Sequence, residues 1–155
     1  MQEIEELDSL LPHRRPMTML VEALPEQEPG TAVAVADTSE SCIFFDTAIG
    51  GVPVCAALEY MAQAMALVVG FMRRRRGAPP KVGFVLGSRR MSVKTPVFRD
   101  GERYKVKAVC IYQDESFGSF DCSIDDARGD TVASAKMTAF QPDGEITEDV
   151  MERIQ

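Results

Sequence analysis

The stretch from Ala56 to Met72 is almost entirely apolar or small, and it is closed by Arg73-Arg74-Arg75-Arg76 and then Gly77-Ala78-Pro79-Pro80. Leu58, Met61, Ala62, Met65, Ala66, Val69 and Met72 are helix formers, so Ala56 to Arg76 reads as one long helix. A membrane-spanning helix needs roughly 20 apolar residues, and this one carries Glu59 and Gln63. It is therefore expected to be buried on nearly every side inside a folded domain rather than in lipid. The small residues Ala56, Ala57, Ala62, Ala64, Ala66 and Gly70 would let a sheet wrap close around it. The rest of the chain has to supply that wrapping.

It has the pattern to do so. A short helix is expected at Gln2 to Leu11, stopped by Pro12. Strand-like runs at Met17 to Leu24 and Thr31 to Asp37 flank a turn-rich Pro25 to Gly30 and predict a hairpin. Beyond the long helix, strands are expected at Gly83 to Val93, Tyr104 to Gln113, Phe117 to Asp125 and Thr131 to Phe140, some joined by short polar turns, as in an antiparallel meander. In Phe117 to Asp125, Phe120, Cys122 and Ile124 alternate with Ser119, Asp121 and Ser123, the signature of a sheet with one buried face. Gly144 to Gln155 reads as a short terminal helix. The order predicts an α+β fold, an antiparallel sheet around one long central helix, in a single domain over residues 1–155.

Composition narrows the chemistry. The 155 residues contain one histidine, so sites built from several histidines and relays of more than one imidazole are excluded. The 24 acidic against 17 basic residues give a net charge of −7, which argues against nucleic acid as a partner. Basic residues nevertheless cluster at Arg73 to Arg76 and at Arg89-Arg90. The four cysteines lack C-x-x-C spacing and sit among apolar or strand-like residues, as small buried hydrophobes do in a reducing compartment. The first residues, Met1-Gln2-Glu3-Ile4-Glu5-Glu6, are acidic where a targeting segment would be basic and then apolar. A cytoplasmic location is expected.

Four segments carry a resemblance: Leu11-Pro12-His13-Arg14-Arg15-Pro16-Met17, Pro53 through Leu58-Glu59-Tyr60-Met61-Ala62-Gln63, Gly83-Phe84-Val85-Leu86-Gly87-Ser88-Arg89, and Glu115-Ser116-Phe117-Gly118-Ser119-Phe120. Together they resemble the FabZ-like β-hydroxyacyl-acyl carrier protein dehydratases of the hot-dog superfamily. The last two, with Phe140-Gln141-Pro142, are most similar to the ApeP-like branch associated with aryl polyene biosynthesis. The resemblance implies a hot-dog fold, no cofactor or metal, an acyl carrier protein as partner, and dimerisation by joining sheet edges. That dimer would be a homodimer by default, or a heterodimer with a related subunit. One departure stands out. General dehydratases carry their catalytic histidine in a Gly-His-Phe-Pro-Gly loop ahead of the central helix, whereas this chain has Phe44 to Val54 without a histidine, and has Val54 where those enzymes have glycine. The glutamate does carry over, as Glu59 of the Leu-Glu-x-Met-Ala-Gln motif.

Eliminating water from a 3-hydroxyacyl thioester requires a base for the α-proton, an acid for the departing hydroxide and a donor for the thioester carbonyl. His13 is the only imidazole available as base near neutral pH, and Glu59 is the natural acid or water-orienting group. Backbone N–H groups around Val54 to Ala56, including Cys55, are candidates for holding the carbonyl at the helix N-terminus. Gln63, one turn after Glu59, is expected to orient that carboxylate and, with Val54 and Cys55, to belong to the substrate-binding part of the site, and Asp46 is a candidate second carboxylate. Bland readings stand beside these: a structural histidine in a proline-bracketed turn, a Glu59 paired with arginine, arginines that merely complement the helix dipole, and Met17, Met19, Met61, Met65 and Met72 as adaptable core. Two rival functions also stay open, a hot-dog thioesterase and a non-catalytic partner subunit.

Overall fold

The computed structural model describes residues 6–114 and 116–141. Helix α1 (Leu7–Leu10) leads to strands β1 (Leu20–Ala23) and β2 (Thr31–Ala36), then β3 (Gly51–Pro53), a 3₁₀ turn (Val54–Ala56) and helix α2 (Ala57–Arg75). Strands β4 (Phe84–Val93), β5 (Val97–Arg99), β6 (Lys105–Gln113), β7 (Phe117–Asp125) and β8 (Thr131–Phe140) complete it. Six strands form one antiparallel sheet in the order β1-β2-β6-β7-β8-β4, and β3 pairs with β5 in a small second sheet. This is the hot-dog arrangement: one sheet covering one long helix. The expected terminal helix, and the start of the first one, lie outside the described residues.

Alternation explains why the sheet accepts the helix. The inward residues include Ala32, Ala34 and Ala36 on β2, Val106 and Ala108 on β6, Phe120, Cys122 and Ile124 on β7, and Ala133, Ala135 and Met137 on β8, all buried. The alanines on β2, β6 and β8 leave room for the larger Tyr60, Met61, Met65, Leu67 and Phe71 of α2, also buried. Each such large side chain contributes roughly 1.5–3 kcal/mol by leaving water. By length and composition Val54–Arg75 could cross a membrane, but 61% of its most apolar window is buried inside the protein.

Three differences from the sequence expectation have physical causes. The first strand begins at Leu20 rather than Met17, because the backbone of Met17 and Met19 is taken by the Gln63 side chain. The second sheet, absent from the sequence reading, is built from runs of only three residues. It depends on Gly51, where a β-carbon would stand 2.2 Å from the Phe98 carbonyl oxygen. Finally, β4 does not lie beside β6 but pairs with β8 at the sheet's edge, where almost its whole length is exposed.

The arginine run closing α2 is largely committed to the fold. Arg73 donates to the Pro79 carbonyl at 2.5 Å, Arg74 lies over the Phe71 ring, and Arg75 pairs with Glu26. Arg89 and Arg90 are exposed on β4.

Candidate active site

Glu59 sits in the first turn of α2, and His13 lies on the connection between α1 and β1. Their side chains meet in one protomer, His13 Nε2 standing 3.8 Å from Glu59 Oε1. That is longer than a hydrogen bond, and close enough for one reacting group to touch both. The side chains are 27% and 37% exposed respectively, so the pair is accessible. Burial pushes the imidazole below its ordinary value, and the Glu59 charge offsets this only in part. This favours the neutral imidazole, the form able to accept a proton. Its Nδ1 is buried without a hydrogen-bond partner among the described residues.

Gln63 organises the carboxylate. Its Nε2 donates to Glu59 Oε1 at 2.8 Å and to the Met17 carbonyl at 2.8 Å, while its Oε1 accepts from the Met19 N–H at 2.8 Å. The side chain is fully buried. Gln63 thus hydrogen-bonds Glu59, as its helical spacing predicts, and lies behind it rather than on the wall of the cavity.

His13 and Glu59 line a cavity of about 300 Å³. It follows a stripe of α2 formed by Ala62, Met65, Ala66 and Val69, positions that share one helix face. From Glu59 to Val69 the helix axis rises about 15 Å. The opposite wall comes from the sheet, with Phe84 and Val85 of β4, Phe117, Gly118 and Phe120 of β7 and Ala139 of β8, while Lys81, Asp114, Ser116 and Gln141 add polar groups. Phe84, Val85, Ser116, Phe117, Gly118, Phe120 and Gln141 fall in the motif segments, Lys81, Asp114 and Ala139 do not, and none of them carried an expected site role. Period-two alternation marks a buried face and does not reveal a gap left against the helix.

Other candidates fall outside the cavity. Val54 and Cys55 do not line it, and the Val54 N–H is spent on the Pro96 carbonyl at 3.1 Å. Cys55 is exposed. Asp46 is also exposed and acts within its own loop, its Oδ1 accepting from the Ala48 N–H and its carbonyl receiving Gly50 N–H. Of the methionines, Met65 lines the cavity, whereas Met19 and Met61 are buried core.

A long sheet wrapped on one helix makes this a hot-dog protein, and an imidazole and a carboxylate face each other in its apolar cleft. The sequence matches the ApeP-like family, described as ApeP dehydratase, over residues 5–152. The chain belongs to that family. It is similar to a chain of the dehydratase heterocomplex ApeI:P from Xenorhabdus doucetiae, with 25% identity, a TM-score of 0.82 and coverage of 96% of this chain and 95% of that one. Its fold is also shared by a hypothetical thioesterase with coenzyme A from Streptococcus pneumoniae TIGR4 (19% identity, TM-score 0.58, 79% and 86% covered). The Escherichia coli PaaI protein from the phenylacetic acid degradation operon is a further structural neighbour (15% identity, TM-score 0.56, 74% and 79% covered). No curated protein matches by sequence.

Proposed function

We propose that this protein removes water from a 3-hydroxyacyl thioester carried on an acyl carrier protein, giving the trans-2-enoyl thioester, with His13 and Glu59 as the catalytic residues. The observation that carries this reading is the 3.8 Å approach of the chain's single imidazole to Glu59 at the head of an apolar cavity. His13 takes the α-proton, and the electron pair moves to form the C2–C3 double bond as the C3–O bond breaks. Gln63 donates to Glu59 Oε1, which leaves Oε2 to accept from the departing hydroxyl and orient it. The proton gained by His13 passes across the short gap to that hydroxyl, which leaves as water, and both groups return to their starting forms.

The acyl chain lies along Ala62, Met65, Ala66 and Val69. The carrier protein is acidic in this reading, and Arg89-Arg90, exposed on β4, suit its carboxylates and phosphate better than the arginines already engaged at the end of α2. The open edge of β4, with Val85, Leu86, Met91 and Val93 exposed, is the side where a second hot-dog subunit joins. The likeness to a chain of a heterocomplex supports a related subunit as the partner, beside the default of a second copy. Nucleic acid and membrane are not partners in this reading, and no cofactor enters the reaction. The four cysteines are free, which supports a cytoplasmic setting.

The test presents 3-hydroxyacyl and 2-enoyl carrier-protein thioesters to the pure protein and follows products by mass. Loss of one water with the thioester intact, abolished in His13→Ala and retained in Asp46→Ala, is expected. Release of free thiol instead points to the thioesterase reading, which the fold shared with the Streptococcus pneumoniae protein makes the second candidate. No product unless a second hot-dog subunit is added points to the partner-subunit reading.

A further inference from the structure

The imidazole of His13 makes no hydrogen bond among the described residues: Nδ1 is unpartnered and Nε2 stops 3.8 Å short of Glu59. Its placement is therefore imposed by the chain that carries it. That chain is fixed at both ends to α2. At the near end Leu10 and Leu11 are fully buried, and the Leu10 carbonyl lies directly on Gly70, where a β-carbon would stand 2.2 Å from the oxygen and 3.0 Å from the carbonyl carbon. Only glycine leaves space for that approach. At the far end Gln63 accepts from the Met19 N–H and donates to the Met17 carbonyl. The two backbone groups demand an acceptor and a donor respectively, so the amide has one orientation, and its remaining hydrogen falls on Glu59 Oε1. Gln63 and Gly70 lie about two helical turns apart on one side of α2. Between the two anchors, Pro12 stiffens the backbone next to His13.

We propose that Gln63 and Gly70 are positioning residues, two clamps that hold the segment from Leu10 to Met19 on α2 and thereby set the separation of His13 from Glu59. Gln63 does so from both sides at once, since one amide fixes the segment bearing the imidazole and the carboxylate it faces. The kinetic part of the test rests on the dehydratase reading; the spectroscopic part does not.

His13 is the only histidine, so its imidazole resonances need no assignment. The titration of His13 is followed by NMR in the full-length protein with and without Glu59→Gln, in the native background and in Gln63→Met and Gly70→Ala. Of the charged groups near the imidazole, Glu59 faces it from α2, Lys81 and Asp114 line the same cavity, and Arg14 follows it in the chain. All but Glu59 are common to every pair and cancel in the difference. Glu59→Gln is expected to displace the His13 titration in the native background and to displace it less than half as far in either clamp variant. A displacement of the same size in the folded variants overturns the proposal. Gln63→Asn, which keeps an amide but is one methylene short, decides the matter if Gln63→Met does not fold. On a turned-over 3-hydroxyacyl thioester, the clamp variants should lose about 10- to 100-fold in kcat with KM held within about threefold, as expected for misplacement of a reacting group; unchanged kcat overturns the proposal. A native protein without turnover sinks the dehydratase reading, and the titration then judges the clamps alone.

Discussion

The Tyr60 hydroxyl donates a 2.6 Å hydrogen bond to the Asp37 carbonyl, tying the first turns of α2 to the end of β2. The Tyr60 ring is fully buried and meets Phe98 edge-on at 5.4 Å, and Phe98 meets Tyr104 in the same way at 5.1 Å. Tyr60→Phe keeps this packing and orphans the carbonyl. It should cost about 1–2 kcal/mol, measured by urea denaturation, while the cavity and its occupants are unaffected because Tyr60 does not line it.

His13 links the site to pH. Its folded value is depressed below the ordinary 6.5 by burial, against the pull of Glu59. Between the two values the unfolded chain binds a proton that the folded chain does not. The contribution to stability is therefore fully present above 6.5 and is lost as pH falls through the depressed folded value. Denaturation midpoints of the native protein should drop across that window more than those of His13→Asn. The acid limb of kcat/KM should likewise lie below 6.5, and a limb above it contradicts a half-buried imidazole acting as base.

Ala66 faces the middle of the cavity. Ala66→Phe should leave dehydration of short acyl groups nearly intact while lowering kcat/KM for long ones by at least about tenfold, the effect of denying a chain more than one methylene's worth of apolar pocket. Competition between short and long 3-hydroxyacyl substrates measures it directly. Equal losses for both lengths would mean that the chain does not lie along α2.

Gly51 carries the small second sheet. Gly51→Ala drives a methyl into the Phe98 carbonyl oxygen and the Arg99 backbone, neither of which belongs to a side chain that swings away. A loss of about 1–3 kcal/mol is expected from overpacking, seen as a lowered thermal midpoint.

The larger elements were legible in the sequence wherever burial imposes a period. Phe117–Asp125 and Thr131–Phe140 occupy the ranges that alternation predicts, because each strand buries alternate side chains in the core. The long helix was readable from composition alone. What escaped were features set by tertiary contact. Met17 to Met19 has strand-like residues, but a glutamine from another element takes its backbone hydrogen bonds. Strands β3 and β5 are too short to show a period. At the site, His13 and Glu59 could be named as candidates because one is the only imidazole and the other a charge on an apolar helix within a Leu-Glu-x-Met-Ala-Gln motif that resembles the dehydratases; the walls formed by Phe84, Phe117 and Phe120 read like any other sheet residues until the helix is in place.

Every group in the chain from His13 through Glu59 and Gln63 to Met17 and Met19 belongs to α2 or to the segment ahead of β1, and none comes from the sheet. The sheet gives the cleft its contour and no member of that chain of contacts. Substitutions on β4, β7 and β8 can therefore reshape what fits without touching the His13, Glu59 and Gln63 group, and an imidazole mounted on a separate strip of backbone has no need of the loop ahead of the helix.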